Sequence, residues 1–365
     1  MADKVLMKGN EAFAEAAIIA GCRHYFGYPI TPQTEIAAYM AKRMPKIGGC
    51  FLQAESEVAA INMVYGVSST GFRVMTSSSS PGISLKSEGL SYLAGADLPA
   101  LVVNVQSGGP GLGGILPSQS DYYQATKAGG HGDFRMLVLA PASVQEMADL
   151  TVKGFELADK YRMTSMILAD GTMGQMMEPV SLDYDIAPMP EKPWTTTGTN
   201  MEREHNIVNS LFLQPDELEK SNLERFERYK YIEENEAMYE EYMMGDAEIC
   251  IAAFGIASRV AKNAIVSARE KGIKVGMIRP ITLWPFPNKP FEKAADKVHT
   301  FVSVELSMGQ MIDDVKLATK CKGEYILCNR VGGMIPSPEE VLEAIEKANK
   351  NGGAKKWLYL KNLML

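Results

Sequence analysis

The chain has 365 residues and a net charge of −7, with 46% hydrophobic and 22% charged residues, which is typical of a soluble globular protein with room for two domains. This charge provides no basic surface of the kind that binds nucleic acid or an anionic membrane, and no apolar run reaches the roughly 18 residues of a transmembrane helix. No apolar signal-peptide core follows the first residues, so we expect a cytoplasmic protein.

Residues 5 to about 187 alternate helical patterns with short apolar runs. A helix is predicted over 11–20, where apolar residues recur at helical spacing and Gly21 ends the pattern. Strands buried on both faces are indicated by three apolar runs, at 101–105, 136–139 and 166–169. This alternation predicts a first domain, residues 1–187, built on a doubly wound, mostly parallel sheet.

The first functional candidate is a strand-to-helix junction at residues 28–32, YPITP. Thr31 followed by Pro32 is a common helix start, with a capping hydroxyl and proline at the first helical position. A residue at the carboxyl end of a parallel strand also faces the crevice in which ligands bind. The two interpretations of Thr31 are compatible.

A second junction places Glu57 at the start of a helix, after the short apolar strand Phe51-Leu52. The helix macrodipole alone explains a glutamate there, and position by itself favours that interpretation. A carboxyl in a dry pocket at such a place can instead act as the proton partner of a ligand, because burial shifts its pKa. Glu55 competes for the same role.

A third junction carries four serines, Ser77 to Ser80, before Pro81 and Gly82. Such a turn offers hydroxyls and backbone N–H groups to an anion or a polar ring. The alternative is an ordinary turn with good capping chemistry. We interpret it as a ligand-site loop, in which the sequence does not separate the roles of the individual serines.

Two glycine-containing loops follow. Residues 106–119 form the longest glycine-rich stretch and come directly after a predicted strand, so they can close over a ligand. No helix opens at the glycine that a dinucleotide-binding fingerprint requires. His131 lies in the second loop, 129–133, where it either lines the site or only orders the loop.

The composition changes near residue 187, where three prolines begin an extended stretch. Residues 188–245 are predicted to form a linker with a charged helical segment from Leu223 to Tyr242, either solvated or docked on a partner subunit through its tyrosines. A second α/β pattern fills residues 246–365, with strands at 248–254, 275–278 and 300–304 and helices at 257–271 and 338–349.

The five cysteines are scattered, at Cys22, Cys50, Cys250, Cys321 and Cys328. Their spacings fit neither paired zinc sites nor iron–sulfur runs. Such a set suits a reducing compartment and mostly buried thiols, and we interpret Cys22 and Cys50 as core residues.

Taken together, the three junctions resemble the alpha subunit of the 2-oxoacid:ferredoxin oxidoreductases, and most closely its branched-chain (2-oxoisovalerate) members. Residues 279–287, RPITLWPFP, resemble the C-terminal domain of transketolase-type enzymes. The resemblance implies an α/β fold of two doubly wound domains, a thiamine diphosphate pyrimidine-binding domain (1–187) and a transketolase C-terminal-like domain (246–365). It also implies oxidative decarboxylation of a 2-oxoacid to acyl-CoA and CO2, with ferredoxin as the electron acceptor.

The resemblance further implies roles for individual residues. Glu57 would hydrogen-bond N1′ of the cofactor's aminopyrimidine, and Thr31 would contact the carboxylate or carbonyl of the substrate. Further contacts are implied for the cofactor at Tyr28, Pro29, Ser78 and Ser79, and for the substrate at Gln106 and Ser107. Many relatives carry arginine where this chain has Ser107, so the anchor of the substrate carboxylate is open.

The chain lacks the Gly-Asp-Gly…Asn segment with which related enzymes hold the diphosphate and its metal. The resemblance therefore implies a beta subunit that supplies diphosphate and Mg²⁺ binding, gamma and ferredoxin-like delta subunits, and contacts between two copies of this chain. Iron–sulfur clusters would lie only on the partners. Two alternatives stay open: a member of the family specific for 2-oxoglutarate or pyruvate, and a nucleotide- or CoA-binding α/β protein with no thiamine role.

Overall fold

A computed structural model of the protein describes residues 4–127 and 129–363. The helices are α1 (Gly9–Ile19), α2 (Thr34–Arg43), α3 (Glu57–Ser69), α4 (Ser80–Gly95), α5 (Tyr122–Thr126), α6 (Val144–Tyr161), α7 (Gly171–Gln175), α8 (Pro215–Asn235), α9 (Gly255–Glu270), α10 (Asn288–Ala294), α11 (Met311–Ala318) and α12 (Pro338–Leu363), with a 3-10 helix at Met44–Ile47. The strands are β1 (Lys4–Lys8), β2 (His24–Gly27), β3 (Cys50–Gln53), β4 (Val74–Ser78), β5 (Ala100–Gln106), β6 (Leu137–Leu139), β7 (Thr164–Asp170), β8 (Met177–Ser181), β9 (Tyr239–Tyr242), β10 (Ile249–Ala253), β11 (Val275–Pro280), β12 (Thr282–Trp284), β13 (Thr300–Glu305) and β14 (Glu324–Asn329).

The first half of the chain builds most of a seven-stranded sheet with the order β12-β6-β7-β5-β4-β2-β3. Its strands from β6 to β3 pair in parallel, and β12 closes one edge antiparallel to β6. All seven residues of β5 are buried, with Leu101 and Val103 in one hydrophobic core and Val102 in the other. Strands that are buried on both faces need helices on both sides of the sheet. The hydrophobic cores on the two faces of β5 therefore confirm the predicted doubly wound sheet.

The second half forms a five-stranded sheet with the order β14-β13-β10-β11-β9. Four of its strands are parallel, and β9 runs antiparallel at one edge. The predicted strands and helices of this half are present, and α12 begins at the predicted residue. The same two hydrophobic cores contain residues from both halves, such as Phe13 together with Ile249. The two halves therefore share their hydrophobic cores.

Two short strands connect the halves. β12 lies in the sequence of the second half but pairs with β6 of the first sheet, and β9 lies in the linker but pairs with β11 of the second sheet. The predicted domain boundaries at 187 and 245 stay a prediction. The second half therefore contributes an edge strand to the first sheet, and the linker contributes one to the second sheet.

The charged segment differs from the prediction at both ends. The helix α8 begins at Pro215 and ends at Asn235, and the predicted helical residues 239–242 form the strand β9. The tetrapeptide YEEY alternates exposed and half-buried side chains, a period of two that suits an edge strand. One face of α8 is buried, and Tyr229 packs edge-on against Trp284 at 5.4 Å. This helix therefore docks on its own chain.

None of the helices in the described part of the chain combines the length and the apolar composition that crossing a membrane requires.

Candidate active site

The carboxyl ends of four neighbouring parallel strands meet along one edge of the first sheet. β2, β3, β4 and β5 end there at Gly27, Gln53, Ser78 and Gln106. The three junctions and the glycine-rich loop singled out in the sequence follow these four strands directly. The topology therefore brings all of the candidate segments to one side of the sheet, where α/β proteins bind ligands.

Glu57 is buried at this edge as the first residue of α3. The hydroxyl of Ser56 caps the helix by accepting a hydrogen bond from the Ala59 N–H at 3.2 Å. Only 5% of Glu57 is exposed, and its carboxylate accepts no hydrogen bond from any residue that the structure describes. Glu55 is exposed and bonds the Ser56 hydroxyl at 3.0 Å. Of the two glutamates, Glu57 is the one with a buried acceptor left for a ligand.

Gly82, in the first turn of α4, lies against Glu57. A Cβ atom at Gly82 would stand 2.6 Å from Glu57 Oε1 and 2.0 Å from Ser78 Oγ, closer than real Cβ contacts. The absence of a side chain at Gly82 therefore lets α4 approach the carboxylate. The Pro81-Gly82 pair in the sequence is a packing requirement of the site as well as a helix start.

The four serines of the third junction separate into two kinds. Ser77 is bonded by Tyr25 at 2.7 Å and donates to the Gln33 side chain at 2.5 Å. Ser78 and Ser79 are buried, and in the described part of the chain their hydroxyls have no hydrogen-bond partner. Buried polar groups without a partner are rare in proteins. The two serines predicted to bind the cofactor are thus the two whose hydroxyls are free to do so.

Ser80 begins a network that holds the glycine-rich loop. Its hydroxyl donates to Asp121 at 2.6 Å and accepts from the Ser107 N–H at 3.0 Å. The side chain of Gln106 accepts from the Asp121 N–H and donates to the Ala169 carbonyl. Burial raises the pKa of Asp121, and the hydrogen bonds that its carboxylate accepts from Ser80 and Asn104 lower it. Both polar atoms of Gln106 are occupied, which favours a role in positioning the loop, and its predicted substrate contact stays a prediction.

Thr31, Tyr28 and Pro29 are exposed at the mouth of this edge. The predicted helix cap at Thr31 is wrong: α2 begins at Thr34 with Gln33 before it, and no side chain caps that end. Residues 31–33 form a turn first, so the hydroxyl of Thr31 stays outside the helix. Thr31 lines a cleft of about 520 Å³ together with Ile115, Leu116 and Thr172.

Lys86 is the residue that the sequence analysis missed. It lies one turn after Gly82 on the same face of α4 and is fully buried, and no described residue forms a hydrogen bond with its Nζ. Burial lowers the pKa of Lys86 to about 8, and the charge of Glu57 opposes that change. The spacing of Gly82, Lys86, Gly89 and Leu93 along one helical stripe was the signal that could have placed this lysine inside.

His131 lies away from the site. It is exposed, its backbone N–H bonds the Ser91 hydroxyl at 2.7 Å, and its ring packs edge-on against Tyr92. Ser91 and Tyr92 stand near the far end of α4, roughly 16 Å along the helix from Ser80 at 1.5 Å per residue. Of the two interpretations of His131, ordering of the loop is the one that these contacts favour.

Exposed apolar side chains surround the carboxyl edge. We call this set the apolar rim; it consists of Tyr28, Leu52, Val58, Leu85, Leu112, Ile115 and Leu116. Leu112, at the tip of the glycine-rich loop, is 92% exposed. Exposed apolar side chains grouped at one edge of a protein are typical of surfaces that contact another protein.

Comparison with known proteins agrees with this geometry. Residues 15–241 match the family model described as pyruvate flavodoxin/ferredoxin oxidoreductase, thiamine diphosphate-binding, and residues 247–341 match pyruvate:ferredoxin oxidoreductase core domain II. The chain belongs to this family of 2-oxoacid oxidoreductases. The predicted identity as a subunit of a thiamine diphosphate-dependent 2-oxoacid:ferredoxin oxidoreductase is confirmed.

Similar proteins span nearly the whole chain. Ketoisovalerate oxidoreductase subunit VorB of Methanothermobacter thermautotrophicus is 52% identical, over 94% of this chain and 97% of its own length. The 2-oxoglutarate synthase subunit KorA of Methanocaldococcus jannaschii is 36% identical, over 93% of this chain and 98% of its own.

Two solved structures resemble the fold. The 2-oxoglutarate:ferredoxin oxidoreductase from Magnetococcus marinus, with 2-oxoglutarate, coenzyme A and succinyl-CoA bound, superposes with a TM-score of 0.87 at 29% identity; the match covers 95% of this chain and 65% of that one. A split-gene transketolase, an inactive beta4 tetramer, superposes with a TM-score of 0.58 at 12% identity, over 94% of this chain and 98% of that one, and shows the fold alone. The predicted fold of two α/β domains is confirmed.

The cysteines differ in part from the prediction. Cys22 and Cys250 are buried, and burial raises the pKa of each thiol to about 12. Cys50 is exposed, so its assignment to the core is wrong: β3 is an edge strand, and most of its side chains are uncovered. Cys321 is also exposed, and Cys328 is partly exposed.

We expect the isolated chain to bind no iron–sulfur cluster. Clusters are held by closely spaced cysteine thiolates, whereas the five cysteines of this chain are scattered along the sequence. Iron analysis and the visible spectrum of the purified chain measure this. A stoichiometric cluster on this polypeptide alone would contradict the expectation.

Proposed function

We propose that this chain holds the aminopyrimidine half of thiamine diphosphate in a 2-oxoacid:ferredoxin oxidoreductase whose substrate is 2-oxoisovalerate. The observation that carries the proposal is the buried carboxylate of Glu57 beside the buried hydroxyls of Ser78 and Ser79, none of which has a hydrogen-bond partner among the residues that the structure describes. These are an acceptor and two hydroxyls in a pocket that Gly82 keeps open. A polar ring with one nitrogen to bond and one amino group to orient fits this set of residues.

Thiamine diphosphate, when bound, would supply a nucleophilic carbon, C2 of its thiazolium ring, for the 2-oxo group of the substrate. Glu57 holds a proton between its carboxylate and N1′ of the aminopyrimidine, and its burial excludes water from that hydrogen bond. Ser78 and Ser79 orient the ring through their hydroxyls, and Tyr28 and Pro29 line the mouth from the end of β2.

The substrate side of the site is formed by Thr31 and the glycine-rich loop. Thr31 is exposed in a cleft with Ile115 and Leu116, so its hydroxyl can bond the substrate while apolar side chains face the substrate's alkyl group. Ser107 has a neutral side chain, so it supplies no cationic anchor for a carboxylate, and its backbone N–H is already bonded to the Ser80 hydroxyl. An apolar cleft without such a cation suits a branched aliphatic 2-oxoacid better than a dicarboxylate.

The identities of the relatives support the same choice. The 52% identity to a ketoisovalerate oxidoreductase subunit exceeds the 36% identity to a 2-oxoglutarate synthase subunit, over nearly equal spans. The remaining candidates within the family are 2-oxoglutarate and pyruvate.

We also propose that a beta subunit covers the carboxyl edge and supplies the diphosphate and Mg²⁺ site. The apolar rim supports this arrangement, because it surrounds the candidate site and exposes side chains that water solvates poorly. Gamma and ferredoxin-like delta subunits would carry the iron–sulfur clusters, and coenzyme A would receive the acyl group. The catalytic site would then be an interface, and this chain alone would be inactive.

The complex assembled with its partner subunits should prefer 2-oxoisovalerate over 2-oxoglutarate by kcat/KM. An apolar pocket discriminates by about 1–3 kcal/mol per methylene, so the preference is expected to be roughly 10- to 200-fold. Steady-state assays with ferredoxin and coenzyme A against 2-oxoisovalerate, 2-oxoglutarate and pyruvate measure it.

Equal or reversed preference would contradict the substrate assignment and leave the thiamine role intact. A second experiment tests the alternative of a nucleotide- or CoA-binding protein with no thiamine role: thiamine diphosphate binding is measured on the chain mixed with its beta subunit. A complex that binds a nucleotide or coenzyme A but no thiamine diphosphate would overturn the proposed function.

A further inference from the structure

Lys86 is a buried cation for which the function proposed above provides no role. It is fully buried on α4, and neither a hydrogen bond nor an ion pair reaches its Nζ from the described residues. Burying an ammonium group without a partner is unfavourable, so such groups are rare unless another feature of the site compensates. An unpaired buried lysine beside a candidate catalytic carboxylate is therefore a candidate functional residue.

The position of Lys86 points at Glu57. Gly82 and Lys86 are four residues apart, which places them on the same face of α4, and the Gly82 face lies against the Glu57 carboxylate. Glu57 is the charged group that acts electrostatically on Lys86. In a site with little water, a charge that is near but not in contact still acts strongly, because screening is weak.

Other charged groups on the surrounding elements are occupied. On α4 itself, Glu88 bonds the hydroxyl of Tyr92 and is exposed. In the loop after β5, Asp121 accepts hydrogen bonds from the Ser80 hydroxyl and from the side-chain amide of Asn104. At the end of β7, Asp170 caps α7 through two backbone N–H groups. On α3, the element with the most extensive contact to α4, Glu57 is the residue whose charge acts on Lys86.

On the basis of the function proposed above, we propose that Lys86 is a positioning residue that sets the charge state of Glu57. Its ammonium group, on the face of α4 that adjoins Glu57, stabilises ionised Glu57 and so favours the state in which the shared proton lies on N1′ of the cofactor. No bond is formed or broken at Lys86: the proton moves only between Glu57 and N1′. The hydroxyls of Ser78 and Ser79 remain the direct contacts to the ring.

Two variants separate charge from packing. Lys86→Met keeps the length and removes the charge, and Lys86→Arg keeps the charge to above pH 12. The rate of C2–H/D exchange of thiamine diphosphate bound to the assembled complex is measured from pH 6 to 10 for both variants and for the wild type. We expect Lys86→Met to exchange at least 10-fold more slowly than the wild type at pH 7.

The wild type should also lose rate on the alkaline side. The pKa of Lys86 is lowered to about 8 by burial, so its charge is lost above that pH and the wild-type rate should approach that of Lys86→Met. Lys86→Arg should lack this alkaline limb. A wild-type rate that stays flat from pH 7 to 10 would overturn the proposal, even if neither variant assembles.

A second measurement does not depend on catalysis. The folded chain holds the Lys86 proton less tightly than the unfolded chain, whose lysine has the ordinary pKa of 10.5. The unfolded state binds more protons between pH 8 and 10.5, so the free energy of unfolding should rise with pH there in the wild type relative to Lys86→Met. Denaturant unfolding of the full chain at pH 7, 8.5 and 10 measures it, and a constant difference between the two proteins would contradict a buried charge at Lys86.

The outcomes distinguish this proposal from the proposed function. If Glu57→Gln abolishes exchange while Lys86→Met matches the wild type at every pH, only the role of Lys86 is overturned. If Glu57→Gln itself exchanges at the wild-type rate, the role proposed for Glu57 fails, and with it the basis for Lys86.

Discussion

Glu57→Gln in the assembled complex is expected to slow C2–H/D exchange of bound thiamine diphosphate by roughly 100- to 10,000-fold, the contribution typical of a positioned acid–base group. Glutamine has the same volume and can still hydrogen-bond N1′, so the affinity for the cofactor should fall only modestly. It cannot hold the shared proton, because an amide does not titrate in this range. The fold and the assembly with partner subunits should be nearly unchanged, since no described residue bonds the Glu57 carboxylate.

Glu55→Gln is the matched control for this experiment. It makes the same substitution two residues earlier, at an exposed side chain outside the pocket. We expect it to leave exchange unchanged and to alter the free energy of unfolding by no more than about 0.5 kcal/mol. If Glu57 served only the helix macrodipole, Glu57→Gln would cost about 0.3–1 kcal/mol of stability and leave exchange alone. If Glu57→Gln kept the wild-type rate of C2–H/D exchange and Glu55→Gln lost it, the role proposed for Glu57 would belong to Glu55 instead.

The fold was largely predictable because its strands are apolar on both faces. β5 and β7 are buried along all seven of their residues, and the runs 101–105 and 166–169 are visible in the sequence for that reason. β12 has only three residues and lies in a run that reads as part of the second half. Its pairing with β6 is a tertiary contact, which local patterns do not contain.

The site was predictable at the level of segments and less so at the level of atoms. The three junctions came together because parallel strands end on the same edge. Ser77 and Ser80 are occupied by hydrogen bonds because of partners far away in the chain, namely Tyr25, Gln33 and Asp121. A sequence read locally contains no information about such partners.

Lys86 shows a different limit. Lysines are rarely buried without a partner, so a local interpretation places them on the surface of a helix. The helical stripe that includes Gly82 and Leu93 was the contrary signal. Sites where such rules fail are expected to be functional ones. The burial of Lys86 is therefore evidence for a functional role, and the rarity of buried lysines is also why a local interpretation places it on the surface.

Gly82→Ala is expected to reduce both thiamine diphosphate affinity and C2–H/D exchange, the latter by roughly 100-fold, while leaving the fold intact. The new methyl group would fall 2.6 Å from Glu57 Oε1 and 2.0 Å from Ser78 Oγ. Both atoms end flexible side chains, so the chain can relieve the overlap at about 1–3 kcal/mol by moving them. That movement displaces the two groups proposed to hold the cofactor, and a displacement of about 1 Å at a reacting group can cost 100-fold in rate.

Gly66→Ala is the matched control, because Gly66 lies in α3, the helix that begins with Glu57. It is exposed, and a Cβ atom there would meet nothing within 4 Å. Replacing a glycine in an exposed helix interior by alanine should stabilise the chain by about 0.5–1 kcal/mol and leave cofactor binding unchanged. Denaturant unfolding and thiamine diphosphate titration of the two variants measure these effects. Wild-type affinity and exchange in Gly82→Ala would show that the first turn of α4 does not adjoin the bound ring, and the pocket would have to be sought nearer to Thr31.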